Sequence, residues 1–191
     1  MVTNDLTNYK IKRLKKIINK KAIRRRLPGQ EPFKLASGDT SDVYFDCKLV
    51  TQDPEGISLI AEIIFDRVKD YCLDRIGGIQ AGAIPICTAV AQLSYSKGHP
   101  VPAFWTRDKR KSHGSKKQIE GGLKSGDSVV VVDDVTTRGN SVMEAVKTVR
   151  ELNCKIVELI TIVDRNKGAK ERFENIGIKF TPIFKISDFD I

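Results

Sequence analysis

Cysteine is sparse in this 191-residue chain and poorly placed for its usual structural tasks: Cys47, Cys72, Cys87 and Cys154 are scattered, with no CxxC pair among them. Histidine is scarcer still, with only His99 and His113 available as metal ligands. These shortages argue against a disulfide framework and against a zinc site, so no residue is singled out as a metal ligand and a reducing cytoplasm is the expected setting. Long hydrophobic runs are also missing: no apolar stretch approaches the roughly 18 residues of a membrane span. The opening MVTNDLTNYKIKRL lacks the apolar core of a secretory signal. Neither an internal repeat nor a low-complexity linker interrupts the chain. At 191 residues and 40% hydrophobic, a single well-packed domain is expected.

Positive charge is not lacking. The formal net charge is +9, but residues 1–30 hold ten Lys or Arg against the single acid Asp5, which leaves 23 bases and 23 acids in the remainder. The excess is therefore local. Leu14, Ile17 and Ile18 fall at helical spacing within the basic run, so residues 1–26 read as an amphipathic basic helix starting near Thr3 or Asn4. Such a helix can face RNA or acidic lipid. The plainer reading, a solvated helix covering an edge of the domain, is preferred because the apolar positions need a surface to cover; nucleic acid and membrane are not expected as partners.

Beyond residue 30 the chain alternates between two kinds of segment. VYFDCKL (43–49) is strand-like, residues 56–71 carry apolar positions at helical period, and 73–79 is a short apolar segment. A helix over 85–95, VPAFW (101–105), the valine strand at 129–132, a helix over 141–152, KIVELITIV (155–163), a helix over 168–175 and a strand near 178–184 follow. Continuous Val and Ile runs between helices describe strands buried on both faces. The fold class expected is α/β, with a central, mostly parallel sheet flanked by helices.

In such sheets ligands bind beyond the carboxyl ends of the strands. That rule singles out VVVVDDVTTRGNS (129–141), in which a buried strand runs into Asp133 and Asp134 and then into a loop leading to a helix. The loop offers successive backbone N–H groups, Gly139 for positive φ, and the hydroxyls of Thr136, Thr137 and Ser141. Unpaired N–H groups and the helix dipole favour an anion there, so the loop reads as a phosphate site. Carboxylates repel a phosphate, so Asp133 and Asp134 should face sugar hydroxyls or a metal ion. A phosphorylated sugar meets both demands. A Walker-type hydrolase is disfavoured because GxxxxGK[ST] is absent.

Hydrophobic strand, acid pair, then Thr, Gly and Ser before a helix resembles the phosphoribosyl diphosphate (PRPP) binding motif of the type I phosphoribosyltransferases. Four further segments narrow the resemblance to the orotate phosphoribosyltransferase family. FKLASGDTSDVYFD (33–46) is similar to its N-terminal segment, GGIQAGAIP (77–85) to its diphosphate-contacting loop, and RDKRKSHGSKKQIEG (107–121) to its mobile catalytic loop; VDRNKG (163–168) resembles its base-side Asp-Arg motif. The resemblance covers residues 31–184. It implies the type I fold with a small N-terminal hood, organised as a basic helix and hood segment over 1–30 and a phosphoribosyltransferase domain over 31–191.

The site residues follow from the same resemblance. Arg107, Lys111 and His113 are implied as diphosphate contacts, with Lys111 the main candidate for stabilising its departure. Asp133 and Asp134 would hold the ribose hydroxyls and favour the positive charge developing on the ring. Val135, Thr136, Thr137, Arg138, Gly139, Asn140 and Ser141 would surround the 5-phosphate, and Thr137, Arg165, Tyr44 and Phe45 would engage orotate. Several positions depart from the family pattern. Asp108 stands where relatives often have a second Lys, leaving Lys109 or Arg110 as substitutes, and Ala36 stands where a number of them have a base-contacting Lys. The diphosphate loop carries small residues where some relatives have a lysine. Arg138 and Asn140 replace the usual Thr and Gly, and Arg138 could add a direct phosphate contact.

The implied reaction is transfer of ribose 5-phosphate from PRPP to orotate, giving orotidine 5-phosphate and diphosphate in pyrimidine synthesis. Mg2+ is the implied cofactor, and a homodimer with shared active sites the implied assembly. Two other readings stay open: a phosphoribosyltransferase for a different base, and a non-catalytic PRPP-sensing regulator whose basic helix binds nucleic acid.

Overall fold

The computed structural model describes residues 2–35, 38–107 and 118–191. Its centre is a six-stranded sheet built from β5 (Arg75–Ile79), β6 (Ala103–Thr106), β7 (Ile119–Glu120), β8 (Ser128–Thr136), β9 (Lys155–Asp164) and β10 (Lys179–Lys185), in the order β10-β9-β8-β5-β6-β7. All neighbours are parallel except the antiparallel edge pair β6–β7. The valine run explains why β8 is central. Val130 and Val132 enter one buried cluster together with Ile60, Ile64, Ile86 and Val90, whereas Val129 and Val131 enter the other with Val142, Val146 and Phe173. Period-two alternation thus feeds two cores at once, and only an unbroken apolar strand can do so.

Helices α3 (Pro54–Val68) and α4 (Ala83–Ser96) supply one of those clusters, and α5 (Asn140–Glu151) and α6 (Ala169–Glu174) the other. Asp53 fixes where α3 begins, since its side chain accepts from the Gly56 N–H at 2.8 Å and Pro54 follows at the first helical position. From β5 the chain passes through α4 to β6 on one side, then returns through β8 to the other. The sheet therefore changes winding direction between β5 and β8, which places a crevice at their carboxyl ends.

The basic segment folds as α1 (Val2–Lys21), with Leu14, Ile17 and Ile18 buried in the same cluster as Ile60 and Val130. The helix stops short of residue 26 because Ile23–Arg25 form a strand, β1, paired with β4 (Val43–Phe45). A second small ribbon joins β2 (Phe33–Lys34) to β3 (Thr40–Ser41). These strands form the hood, and the β1–β4 pairing runs across residue 30. The strand expected over 43–49 is shorter than its pattern. After Phe45 the chain turns into α2 (Lys48–Thr51), because Cys47, Val50 and Thr51 sit at helical spacing and are all buried.

Five of the ten N-terminal cations pair with acids within the molecule. Lys10 reaches Glu62 at 2.9 Å and Asp66 at 2.8 Å, Arg13 makes a two-pronged contact with Glu55, Lys21 meets Asp53, Arg24 meets Asp46 and Arg26 meets Asp42. Apart from the buried Lys10, these are exposed pairs, which contribute only about 0–1 kcal/mol each. Their effect on the surface field is larger, because they offset the positive excess of the first 30 residues with acids from the neutral remainder. No described helix is long and apolar enough to cross a membrane.

Candidate active site

A cleft of about 290 Å³ opens where the topology puts it, lined by Ile79 at the end of β5, by Gln80, Ala81 and Gly82 just after it, and by Asp133, Asp134 and Val135 on β8. Two roomier cavities, each about 430 Å³, lie along α1, away from the strand ends. Asp133 is 7% exposed, and one of its oxygens accepts from the Thr136 hydroxyl at 2.9 Å. Burial pushes its carboxyl well above the ordinary carboxylate range, and the charge of Asp134 pushes the same way. Asp134 is also raised by burial, with Lys48 the main opposing charge. Two adjacent desolvated acids resist carrying two negative charges unless something donates to them, and a pair of vicinal hydroxyls is such a donor. Gly82 stands against this pair: a Cβ there would lie 2.4 Å from an Asp134 oxygen, so any larger residue in the turn after β5 would have to displace that carboxylate.

The loop after the acids encloses a second, smaller space of about 40 Å³, lined by Asp133, residues 135–141 and Val142. Gly139 is the residue before α5, in the left-handed region at φ 72°, and a Cβ on it would also strike the Phe173 ring at 2.5 Å. Lacking a side chain, it cannot cap the helix, so the first-turn N–H groups face the cavity rather than a capping oxygen. Two expected phosphate contacts are redirected. The Thr136 hydroxyl is buried and committed to Asp133, and the Arg138 guanidinium makes two 2.9 Å contacts with Asp39, leaving their main chains in the lining. Asn140 turns outward, its side-chain oxygen accepting from Arg172 at 2.5 Å. Thr137 and Ser141 line both spaces.

The cleft is also walled by Tyr44, Phe45 and Arg165. Arg165 follows β9 and is 4% exposed; one terminal nitrogen donates to the Ser41 hydroxyl at 2.8 Å and to the Val43 carbonyl at 3.0 Å. Its guanidinium lies 5.7 Å from the centre of the Phe45 ring, and its Nε has no hydrogen-bond partner. Burial lowers its pKa, yet guanidinium remains protonated throughout the working range. A buried cation with an orphaned donor beside an open cleft is arranged to receive an acceptor or an anion. Residue-by-residue reading missed Lys34, Leu35, Lys48 and Gln80, all of which line this cleft. Lys48 stands beside the small residues of the β5 turn and supplies, from a different element, positive charge which that turn lacks.

Arg107 is not in the cleft lining. Its guanidinium holds Glu120 at 3.1 and 2.6 Å, and its N–H donates to the Gln118 carbonyl at 2.8 Å, so the two ends of the 107–121 segment are joined at the sheet edge. Glu120 is thus a further residue the sequence reading passed over, visible only through the pairing of β7 with β6. Lys111 and His113, with Asp108, Lys109 and Arg110, lie outside the described residues, as does Ala36.

Residues 48–187 match the phosphoribosyl transferase domain model. The orotate phosphoribosyltransferase of Bradyrhizobium diazoefficiens is 46% identical over 172 residues, spanning 87% of this chain and 91% of that protein. The chain belongs to the orotate phosphoribosyltransferases. Among solved structures, the Mycobacterium tuberculosis orotate phosphoribosyltransferase superposes with a TM-score of 0.80 at 28% identity, covering 95% of this chain and 99% of that one. The same Mycobacterium enzyme in complex with PRPP superposes at 0.75 and 28%, covering 94% and 98%. The type I phosphoribosyltransferase fold expected for the chain is present, with its mostly parallel sheet, flanking helices and small hood over the cleft of this family.

Proposed function

We propose that this orotate phosphoribosyltransferase works in the cleft between β5 and β8, with Asp133 and Asp134 on the ribose hydroxyls, the 135–141 loop on the 5-phosphate, and Thr137, Tyr44, Phe45 and Arg165 around orotate. The observation that carries the base assignment is Arg165, a buried guanidinium with an unpartnered Nε and, among the described residues, no ion pair. Orotate differs from uracil by a carboxylate. A site with an uncompensated buried cation favours the anionic base, since a neutral one would leave that charge unanswered.

The two acids favour the positive charge that develops on the ribose ring as the bond to diphosphate lengthens. The 107–121 segment brings cations to the departing diphosphate. Arg107, released from Glu120, Lys111 and His113 would meet it there. Among the described residues no cluster of three His, Cys, Asp or Glu gathers to cage a metal. Magnesium therefore fits as an ion carried in on substrate oxygens, faced by Asp133, Asp134 and the turn at 80–82, where it would neutralise diphosphate charge. A dimer with shared sites and a cytoplasmic setting complete the proposal; four free cysteines suit the latter. The internal pairing of Lys10, Arg13, Lys21, Arg24 and Arg26 favours an enzyme over a nucleic-acid-binding sensor.

The test is diphosphate release from PRPP and Mg2+ with orotate, uracil, hypoxanthine and adenine in parallel. Release with orotate alone is expected, and equal rates with uracil would remove the role given to Arg165. Lys111→Ala should lower kcat by about 100-fold or more while PRPP affinity changes little, because its contact strengthens as charge accumulates on the leaving group. Unchanged turnover would take Lys111 out of the mechanism.

A further inference from the structure

The β2–β3 ribbon has two residues in each strand, too few to hold a position unaided. It nevertheless presents Lys34 and Leu35 to the cleft. Its turn is closed by Leu35 N–H to the Asp39 carbonyl at 2.8 Å, and Asp39 is the residue that receives both prongs of Arg138. Arg138 lies in the phosphate loop, whose backbone is anchored from the opposite side: Arg172 on α6 donates to the Arg138 carbonyl at 2.8 Å and to the Asn140 side chain at 2.5 Å. Phe173, the next residue on α6, packs against Gly139. The two positions that depart from the family pattern, Arg138 and Asn140, are thus both employed in the loop's mounting, and each side chain is already held by a protein partner.

We propose that Arg138 and Asp39 are positioning residues for the base: their two-pronged pair ties the hood ribbon to the phosphate loop, so that a loop set by the 5-phosphate also sets the wall against which orotate docks. The inference rests on the activity assigned above. The pair is about half exposed on the arginine side, 55% against 31% for Asp39, so its part in overall stability is small. What it provides is orientation, since a planar fork on a carboxylate fixes both distance and angle. A Thr at 138 could not span to Asp39 in this way.

The experiment is a double-mutant cycle in the full chain with Asp39→Asn, Arg138→Gln and the two combined, plus Arg138→Lys. Orotate KM and kcat are measured at saturating Mg-PRPP, PRPP affinity by calorimetry, and melting temperature as a control. Each single change should raise orotate KM by about tenfold while PRPP affinity moves much less; the combined variant should be no worse than either single, and Arg138→Lys should recover part of the loss. If Arg138→Gln weakens PRPP tenfold and Asp39→Asn does nothing, Arg138 is a phosphate ligand and the inference falls. It falls equally if orotate KM is unmoved in both singles, or if every parameter declines in step with melting temperature. A wild-type protein that ignores orotate would instead overturn the activity assignment, which the same measurements reveal before any variant is compared.

Discussion

Replacing Asp133 and Asp134 together by asparagine should abolish ribose-phosphate transfer, lowering kcat/KM by about 1,000-fold or more, while making the unliganded protein more resistant to heat. Loss of activity follows from removing both acceptors for the ribose hydroxyls and the negative charge that favours the developing cation. The stability gain follows from the direction of the pKa shifts. Burial raises both carboxyls above their ordinary range, so the native state holds protons that the unfolded chain has already released. Where the native state binds more protons, stability falls as pH rises. The penalty therefore begins near the ordinary carboxylate pKa of about 4 and grows towards the raised values, after which it is constant. Asparagine cannot ionise, and at position 133 it still offers an oxygen to the Thr136 hydroxyl. Melting curves of the two proteins should thus converge at acid pH and separate on the alkaline side, the variant higher. A variant that melts lower at pH 8, or that transfers ribose phosphate normally, would remove the acid pair from the role given to it.

Arg165→Met should raise orotate KM by about 100-fold and erase the preference for orotate over uracil, with PRPP affinity nearly unchanged. Removing one member of a buried charge pair costs about 3–5 kcal/mol, each 1.4 kcal/mol being tenfold in binding. The pair in question exists only when orotate is bound, so the loss should appear in orotate KM. Arg165→Lys should not restore function, because a point charge reproduces neither the fork nor the Nε donor. Since Arg165 also holds Ser41 and Val43 in the hood, the discriminating number is the orotate-to-uracil ratio, which a merely loosened hood would leave intact.

The central fold was legible because its signals are local. Val129–Val132 feed two cores and had to be an unbroken apolar run, and the helices carry their periodicity within a dozen residues. The acid pair with its glycine-bearing loop was legible for the same reason. The hood was not: strands of two and three residues have no period to read, and their pairing depends on residues far along the chain. Side-chain destinations were equally hidden. Arg138 reads as a phosphate ligand until Asp39, 99 positions earlier, is seen beside it. Thr136 reads as a phosphate hydroxyl until strand geometry turns it under Asp133. The covering role of the N-terminal helix was legible from Leu14, Ile17 and Ile18, but the pairing of its charges was not, because the partners of Lys10, Arg13 and Lys21 lie in α3 and just before it.

The base-side wall has one more consequence. Phe45 packs edge-on against Phe189 at 5.3 Å, Phe184 lies tilted against that ring at 5.5 Å, and Arg25 donates to the Asp190 carbonyl at 2.7 Å. A segment synthesised in the first quarter of the chain is therefore completed by residues 184–190. Contacts between such distant positions are the slowest to form, because the whole intervening chain must be ordered before they are rewarded. The hood is early in sequence and late in time. A chain that ends before Phe184 lacks both rings that back Phe45, and with them part of the cluster that holds Val130 and Val132 behind the paired acids.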